Sequence, residues 1–461
     1  MTPLARLART RLALGTAAGF YGLGVQLLVQ LISVPVLTRQ WGVAGYGIWL
    51  LLFSVPSLLA MADLGLTTAG ANAMTDAVAR GDPPKAARIH SALRVITLLT
   101  GGVLLALAAL LLYVLRPGAL DFAEHMAAGQ ARTTAMLLCC YGLLALVNGV
   151  TLAAYRAADA FALSNMLYQT MILFEAVAAL GTAIGGGDPE QVALAYLLGR
   201  MAGTVMLSLG IRRRAPWLGR SDWRADRGEL RELIRPALAA LVYPGANAIA
   251  MQGSVMVIGA IGGPAAIPAY AVVRTLSRTA LQFAMRFNIA AMPRYTVFIA
   301  QDDQPRARQL VALNLLVAAG LVIPAAVLLF AFGQPFIHLW TGGTIEPGLP
   351  LLGVMVLTML ANAAWGPLSN LMLAINRHAA FTYYYLGAAL VCLALGAALT
   401  VQWPTLGMAL AMLVMELLMV GRVWHLARAM GMLDLSGTRL GLTEMLRELR
   451  ADRTSAKDSA P

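Results

Sequence analysis

Three arginines stand close together in an otherwise apolar run, YAVVRTLSRTALQFAMRFNIAAMP: Arg274, Arg278 and Arg286. On a helix the first two are about 40° apart around the axis and the third about 80° further, so they share one broad face. A guanidinium keeps its charge in a protein and presents a donor fork that matches phosphate. Such a face could therefore hold a phosphate-bearing anion. Arg200 adds a candidate in another apolar run. The competing role for each is structural, either snorkelling to headgroups or pairing with an acid. Arg278 is nearest the middle of its run and has the least escape. Asn247 and Gln252, with Asn72 and Asn288, are polar candidates to line the same hollow, although Asn also joins helices to one another. Acids within the apolar runs are few: Asp63, Glu175 and Glu416. They are candidates for ion coupling through H+ or Na+, because removal from water favours a protonated carboxylate. Hydrogen bonding inside a bundle is the alternative for all three, and Asp63 could also cap or kink a helix beside Gly65.

The elements that must position these groups follow from composition. Of 461 residues, 59% are hydrophobic and 12% charged, against roughly 25% charged in a soluble domain. Mean hydropathy is +0.72, which excludes a water-soluble globular protein. Cys139, Cys140 and Cys392 all sit in apolar stretches, so neither a disulfide framework nor a thiolate metal site is expected. The five histidines are scattered without metal spacing, and HExxH, Walker A and GxSxG motifs are absent. No cofactor or metal is expected, and ATP is not a direct drive within this chain. The first apolar stretch is too long for a signal peptide and reads as a retained span.

A bilayer core needs roughly 20 mostly apolar residues per helix. That ruler predicts about twelve spans, at 17–38, 46–72, 92–115, 133–155, 161–184, 191–211, 236–261, 267–293, 310–333, 349–375, 380–400 and 404–426. Strand alternation is absent, so the expected class is an all-α polytopic membrane protein. Positive residues choose the sidedness. With the N-terminus in the cytoplasm, the inner segments hold eight arginines between Arg212 and Arg235 and seven basic residues between Arg422 and Lys457. The outer side has Arg39, Arg116 and Arg132. Both termini are therefore expected inside, and the net charge of +12 is read as an anchor on anionic lipid, not a nucleic-acid surface. The largest outer loops are expected at about 116–132 and 334–348.

The segments ARGDPPKAARIHSALRVITLL (79–99) and AQDDQPRARQLVALNLLVAAG (300–320) echo one another, and Tyr46 and Tyr270 open the preceding spans at similar offsets. Six spans per half make the halves parallel repeats about an axis along the membrane normal. The expected organisation is a six-helix lobe at 1–211, a basic linker at 212–235, a second six-helix lobe at 236–427 and a cytoplasmic tail at 428–461. In the tail, RLGLTEMLRELR (439–450) reads as an amphipathic surface helix and the last ten residues as disordered. Gly15 and Gly19 form a GxxxG contact signal.

The block PVLTRQWGVAGYGIWLLLFSVPSLLAMADLGL (35–66) resembles the signature of bacterial O-antigen and polysaccharide flippases: a small-residue turn, Tyr-Gly-x-Trp, then Asp-Leu-Gly further along. Here these positions are Gly42, Gly45, Tyr46, Gly47, Trp49, Asp63, Leu64 and Gly65. GVTLAAYRAADAFALSN (149–165) and AIPAYAVVRTLSRTALQ (266–282) also match. These flippases form a branch of the multidrug/oligosaccharidyl-lipid/polysaccharide (MOP) exporter superfamily. The resemblance spans about 15 to 425 and implies a V-shaped bundle of two lobes with a cationic cavity. It also implies transport of an undecaprenyl-pyrophosphate-linked oligosaccharide to the outer leaflet of a bacterial inner membrane, in company with polysaccharide assembly enzymes. Carried over by residue, Arg274 and Arg278 would meet the pyrophosphate. Two other functions stay open: a small-molecule or drug exporter of the same superfamily, and a membrane-embedded saccharide polymerase or ligase. The first would favour an acidic cavity, and the second usually needs paired acids in a large outer loop.

Overall fold

A computed structural model describes residues 3–61, 64–114, 126–220, 227–375 and 379–433, and its regular elements are helices. In chain order they are α1 (Pro3–Met61), α2 (Leu64–Ala79), α3 (Pro83–Val114), α4 (Ala128–Ala157), α5 (Phe161–Ile184) and α6 (Pro189–Arg214). There follow α7 (Arg227–Val257), α8 (Ile267–Ala300), α9 (Gln304–Thr341), α10 (Leu349–Ala374), α11 (Ala379–Thr400) and α12 (Leu406–Ala429). Among the described residues ten helices are long and apolar enough to cross a membrane. The chain is a multi-pass membrane protein.

At 1.5 Å per residue the 59 residues of α1 run about 88 Å, far more than one bilayer crossing. Gly42 breaks it, with φ 72° and ψ 175°. Positive φ is cheap only without a Cβ, so glycine sits where the helix changes course. Both of the first two expected spans draw on this element. The second was expected as one helix over 46–72. Its described residues belong to α1 up to Met61 and to α2 from Leu64. Asp63 lies outside the described residues, as do the expected surface helix at 439–450 and the last ten residues.

The two segments that echo one another in sequence build similar turns. Before α3, Gly81 takes φ 75° and the amide of Asp82 donates to the Ala77 carbonyl at 2.9 Å. Before α9, Asp302 takes φ 54° and the amide of Asp303 donates to the Phe298 carbonyl at 2.8 Å. Each new helix then starts on an aspartate side chain. Asp82 accepts from the Lys85 amide at 2.9 Å, and Asp303 accepts from the Arg306 amide at 3.1 Å. These are N-cap contacts, which satisfy backbone donors left open by the first turn.

The expected loop at 334–348 is shorter than the sequence suggests. α9 continues through Pro335 to Thr341, because a proline late in a helix removes one backbone donor without ending the rod. The turn before α6 is a full capping box: Asp188 accepts from the Gln191 amide, and the Gln191 side chain accepts from the Asp188 amide.

The chain separates into two compact units. The first holds α1 to α7, with Ile337–Glu346 and Thr400–Thr405. The second holds α8 from Tyr270 onward, α9 up to Phe336, and α10 to α12. In the first unit α4 packs on α6, α5 on α1 and α6, and α7 on α1, α2 and α3. In the second, α10 packs on α12.

Candidate functional site

α8 is 34 residues long, yet it falls outside the helices apolar enough to span. Its arginines are the reason. Arg274 and Arg278 are half-buried, while Arg286 is exposed beside exposed Met285 and Phe287. The Arg274 guanidinium stands over the ring of Tyr270, one turn back, at 5.2 Å from its centroid. That ring is fully buried, so a cation–π contact holds the stem in place. Arg274 and Arg278 lie within electrostatic reach of each other. Two like charges are thus kept one turn apart on one helix.

Arg278 also lies within electrostatic reach of Glu416 on α12. Glu416 is 4% exposed, and its carboxylate accepts from neutral donors of α10. The Trp365 indole Nε1 donates at 2.6 Å, and Asn362 Nδ2 donates at 3.0 and 3.2 Å to the two oxygens. A carboxylate held this way sits in a fixed polar nest between α10 and α12, on a helix that also buries Met408, Met412, Met415 and Met419.

The first unit brings together two residues that the sequence treats separately. Arg200, in the middle of α6, donates to Glu175, in the middle of α5, at 2.5 Å; they are 2% and 1% exposed. Tyr141 of α4 accepts from Arg200 and donates to the same Glu175 oxygen at 2.8 Å. Tyr168 accepts from Arg200 at 3.1 Å. The guanidinium also lies 4.4 Å from the Tyr141 ring centroid. Around it runs an aromatic wall, in which Trp49 stacks on Tyr196 at 6.0 Å and Phe53 stands 5.9 Å from Tyr141. Within that shell Glu175 Oε2 and Arg200 Nε are buried without a hydrogen-bond partner. The Arg200 charge is therefore matched inside the bundle.

Close helix approach makes this pair possible. A Cβ on Gly199 would lie 2.8 Å from Glu175 Cβ and 3.0 Å from its Cα, and one on Gly203 would lie 2.1 Å from Met171 Cγ. These two glycines form the GxxxG that does bring helices together, whereas Gly15 has nothing within 4 Å. Gly199→Ala is expected to force α5 and α6 apart and cost about 1–3 kcal/mol of stability, read as a lower unfolding temperature in detergent. Gly47, in the Tyr-Gly-x-Trp motif, serves a similar purpose, because a Cβ there would lie 1.9 Å from the Pro264 carbonyl oxygen.

The remaining candidates are spread out. Asn247 and Gln252 are half-buried on α7, in the first unit. Asn72 is exposed on α2. Asn288 on α8 is buried, with its Oδ1 unpartnered. Sequence reading missed Tyr141, Tyr168, Trp365 and Asn362, which complete the two acid sites.

No protein-family model matches the chain, and no curated protein matches it. Solved structures do. An inward-facing multidrug resistance MATE family transporter of the MOP superfamily aligns with a TM-score of 0.72 at 13% identity, over 89% of this chain and 95% of that one. A MOP superfamily transporter from Pyrococcus furiosus, described as having a binding pocket of reverse polarity that suggests a different function, aligns at 0.65 and 14%, over 92% and 96%. An outward-facing MATE family transporter aligns at 0.64 and 14%, again over 92% and 96%. The chain shares the all-helical fold of the MOP superfamily transporters.

Proposed function

We propose that this protein is a flippase of a bacterial inner membrane, not an enzyme. It would carry an undecaprenyl-pyrophosphate-linked oligosaccharide, such as an O-antigen or other polysaccharide unit, from the inner to the outer leaflet. The observation that carries this reading is the pair Arg274 and Arg278, half-buried one turn apart on the long helix whose arginines make it too polar to count as a span. Cationic groups are expensive in hydrocarbon, and a fixed guanidinium pair gives an anionic headgroup several charge-assisted bonds. The lipid tail stays in the bilayer while the pyrophosphate meets the arginines. Residues 1–211 and 236–427 are the proposed rocking lobes, with the basic segment 212–235 and both termini in the cytoplasm. Arg286 is the weaker member of the set because it is exposed beside apolar side chains. Arg200 is a structural partner of Glu175 in this reading.

Glu416 is the favoured coupling group for H+ or Na+, since it lies within electrostatic reach of Arg278. Glu416→Gln keeps the shape and removes the titrating proton. It is expected to flatten the pH dependence of transport in proteoliposomes while leaving substrate affinity within about 3-fold of wild type. Asp63 and Glu175 remain secondary candidates. Arg274→Ala with Arg278→Ala, expressed normally, should abolish surface polysaccharide and leave lipid-linked units on the inner leaflet. Normal export by that variant would remove the basis of the proposal.

A second reading, export of small amphipathic molecules, draws on the multidrug resistance transporters among the structural neighbours. Competition separates the two. Cationic dyes should fail to displace a pyrophosphate lipid from a cationic face, but should do so if the protein is a drug exporter.

A further inference from the structure

A cavity of about 420 Å³ opens in the first unit among α3, α4, α6 and the short 3-10 turn Pro216–Arg220. That lies within the roughly 300–1,000 Å³ typical of small-ligand sites. Each helix gives it one face. His90, Arg94 and Thr97 lie at i, i+4 and i+7 on α3, Thr151 comes from α4, and Ser208 and Arg212 lie four apart on α6. Two guanidiniums, an imidazole and three hydroxyls thus converge, and among the described residues no carboxylate lines the space. Arg94 and Arg212 are near enough to feel each other's charge. Thr97 is 2% exposed with its Oγ1 unpartnered, and His90 Nδ1 is buried and unpartnered too. A buried donor with no partner costs on the order of 1–3 kcal/mol, which a ligand oxygen would recover.

Depth narrows the ligand. α3 carries Lys85, Arg88 and Arg94 in its first part, and its long apolar run begins only at Val95. Basic residues at the end of a span sit at headgroup level, and Arg94 is the last of them before the apolar run. Arg212, Arg213 and Arg214 close α6 in its last turn. Two permanent positive charges with hydroxyl donors beside them suit a tetrahedral group that has several oxygens and one or two negative charges.

We propose that this cavity binds a phosphate group, supplied either by an anionic lipid headgroup or by a soluble phosphate. It is built wholly from the first unit and does not rest on the reading of α8. The test uses the full chain in a maltoside detergent, which carries no phosphate, and follows the rise in unfolding temperature with added ligand. The probes are inorganic phosphate and phosphatidylglycerol. Wild type should be stabilised by at least one of them. Arg212→Gln should weaken that response about 5-fold, and Arg94→Gln with Arg212→Gln about 25-fold. Arg213→Gln, exposed and outside the lining, should change it less than about 2-fold. Preference for phosphatidylglycerol assigns the headgroup, and preference for inorganic phosphate assigns the soluble ligand. If the double variant does not fold, Arg212→Gln decides alone, because its side chain is exposed. No stabilisation by either probe, or an equal loss in Arg213→Gln, would overturn the proposal.

Discussion

Arg200→Ala should destabilise the protein by on the order of 3–5 kcal/mol, because it leaves Glu175 in the middle of α5 without its counter-charge. The pair is held by hydroxyls of Tyr141 and Tyr168 and closed in by Trp49, Phe53 and Tyr196. Water therefore cannot readily replace the missing guanidinium. Replacing both partners together, Arg200→Met with Glu175→Leu, should recover most of that loss, since an apolar pair of similar size costs no desolvation. Unfolding in detergent measures all three variants. The double replacement also separates two roles for Arg200. A structural pair predicts that it folds and still binds substrate. A substrate-holding Arg200 predicts a stable protein with lost affinity.

Arg278→Glu is the second large effect. It removes a charge-assisted contact worth about 1.5–3 kcal/mol and adds repulsion toward a pyrophosphate, so affinity should fall about 100-fold or more. It also puts a second carboxylate within reach of Glu416, which now lies in the field of the Arg278 charge. Retained binding in Arg286→Gln would show that the effect belongs to one part of α8. Arg286 is exposed between Met285 and Phe287, and its loss should change affinity by less than about 3-fold.

Much of the fold was legible because hydrocarbon imposes one rule on every span, namely a run of apolar residues closing its own backbone bonds. The breaks were harder. Residues 39–45 read as a connection, and two helical stretches do meet there, although the break is confined to a single glycine, Gly42. An outer loop was expected from about 334, but α9 carries on through Pro335 to Thr341. Hydropathy reports how apolar a stretch is, not whether its backbone continues. For the sites, Arg274, Arg278, Arg200, Glu175 and Glu416 stood out as charges in apolar runs. Their partners did not. Tyr141 is 59 residues from Arg200 and Trp365 is 51 from Glu416. Pairing across such separations is set by helix packing, which one-dimensional periodicity does not encode. The Gly199–Gly203 spacing was available, and it explains why α5 and α6 come so close.

The most direct test is to compare, in one assay, the affinity of the purified protein for undecaprenyl pyrophosphate and for undecaprenol, which has the same tail and no phosphate. Wild type should prefer the pyrophosphate lipid by about 100-fold, with the preference shrinking as salt rises, and Arg274→Gln with Arg278→Gln should bind both alike. Equal affinity in wild type, or a preference that survives the loss of both arginines, would contradict the account.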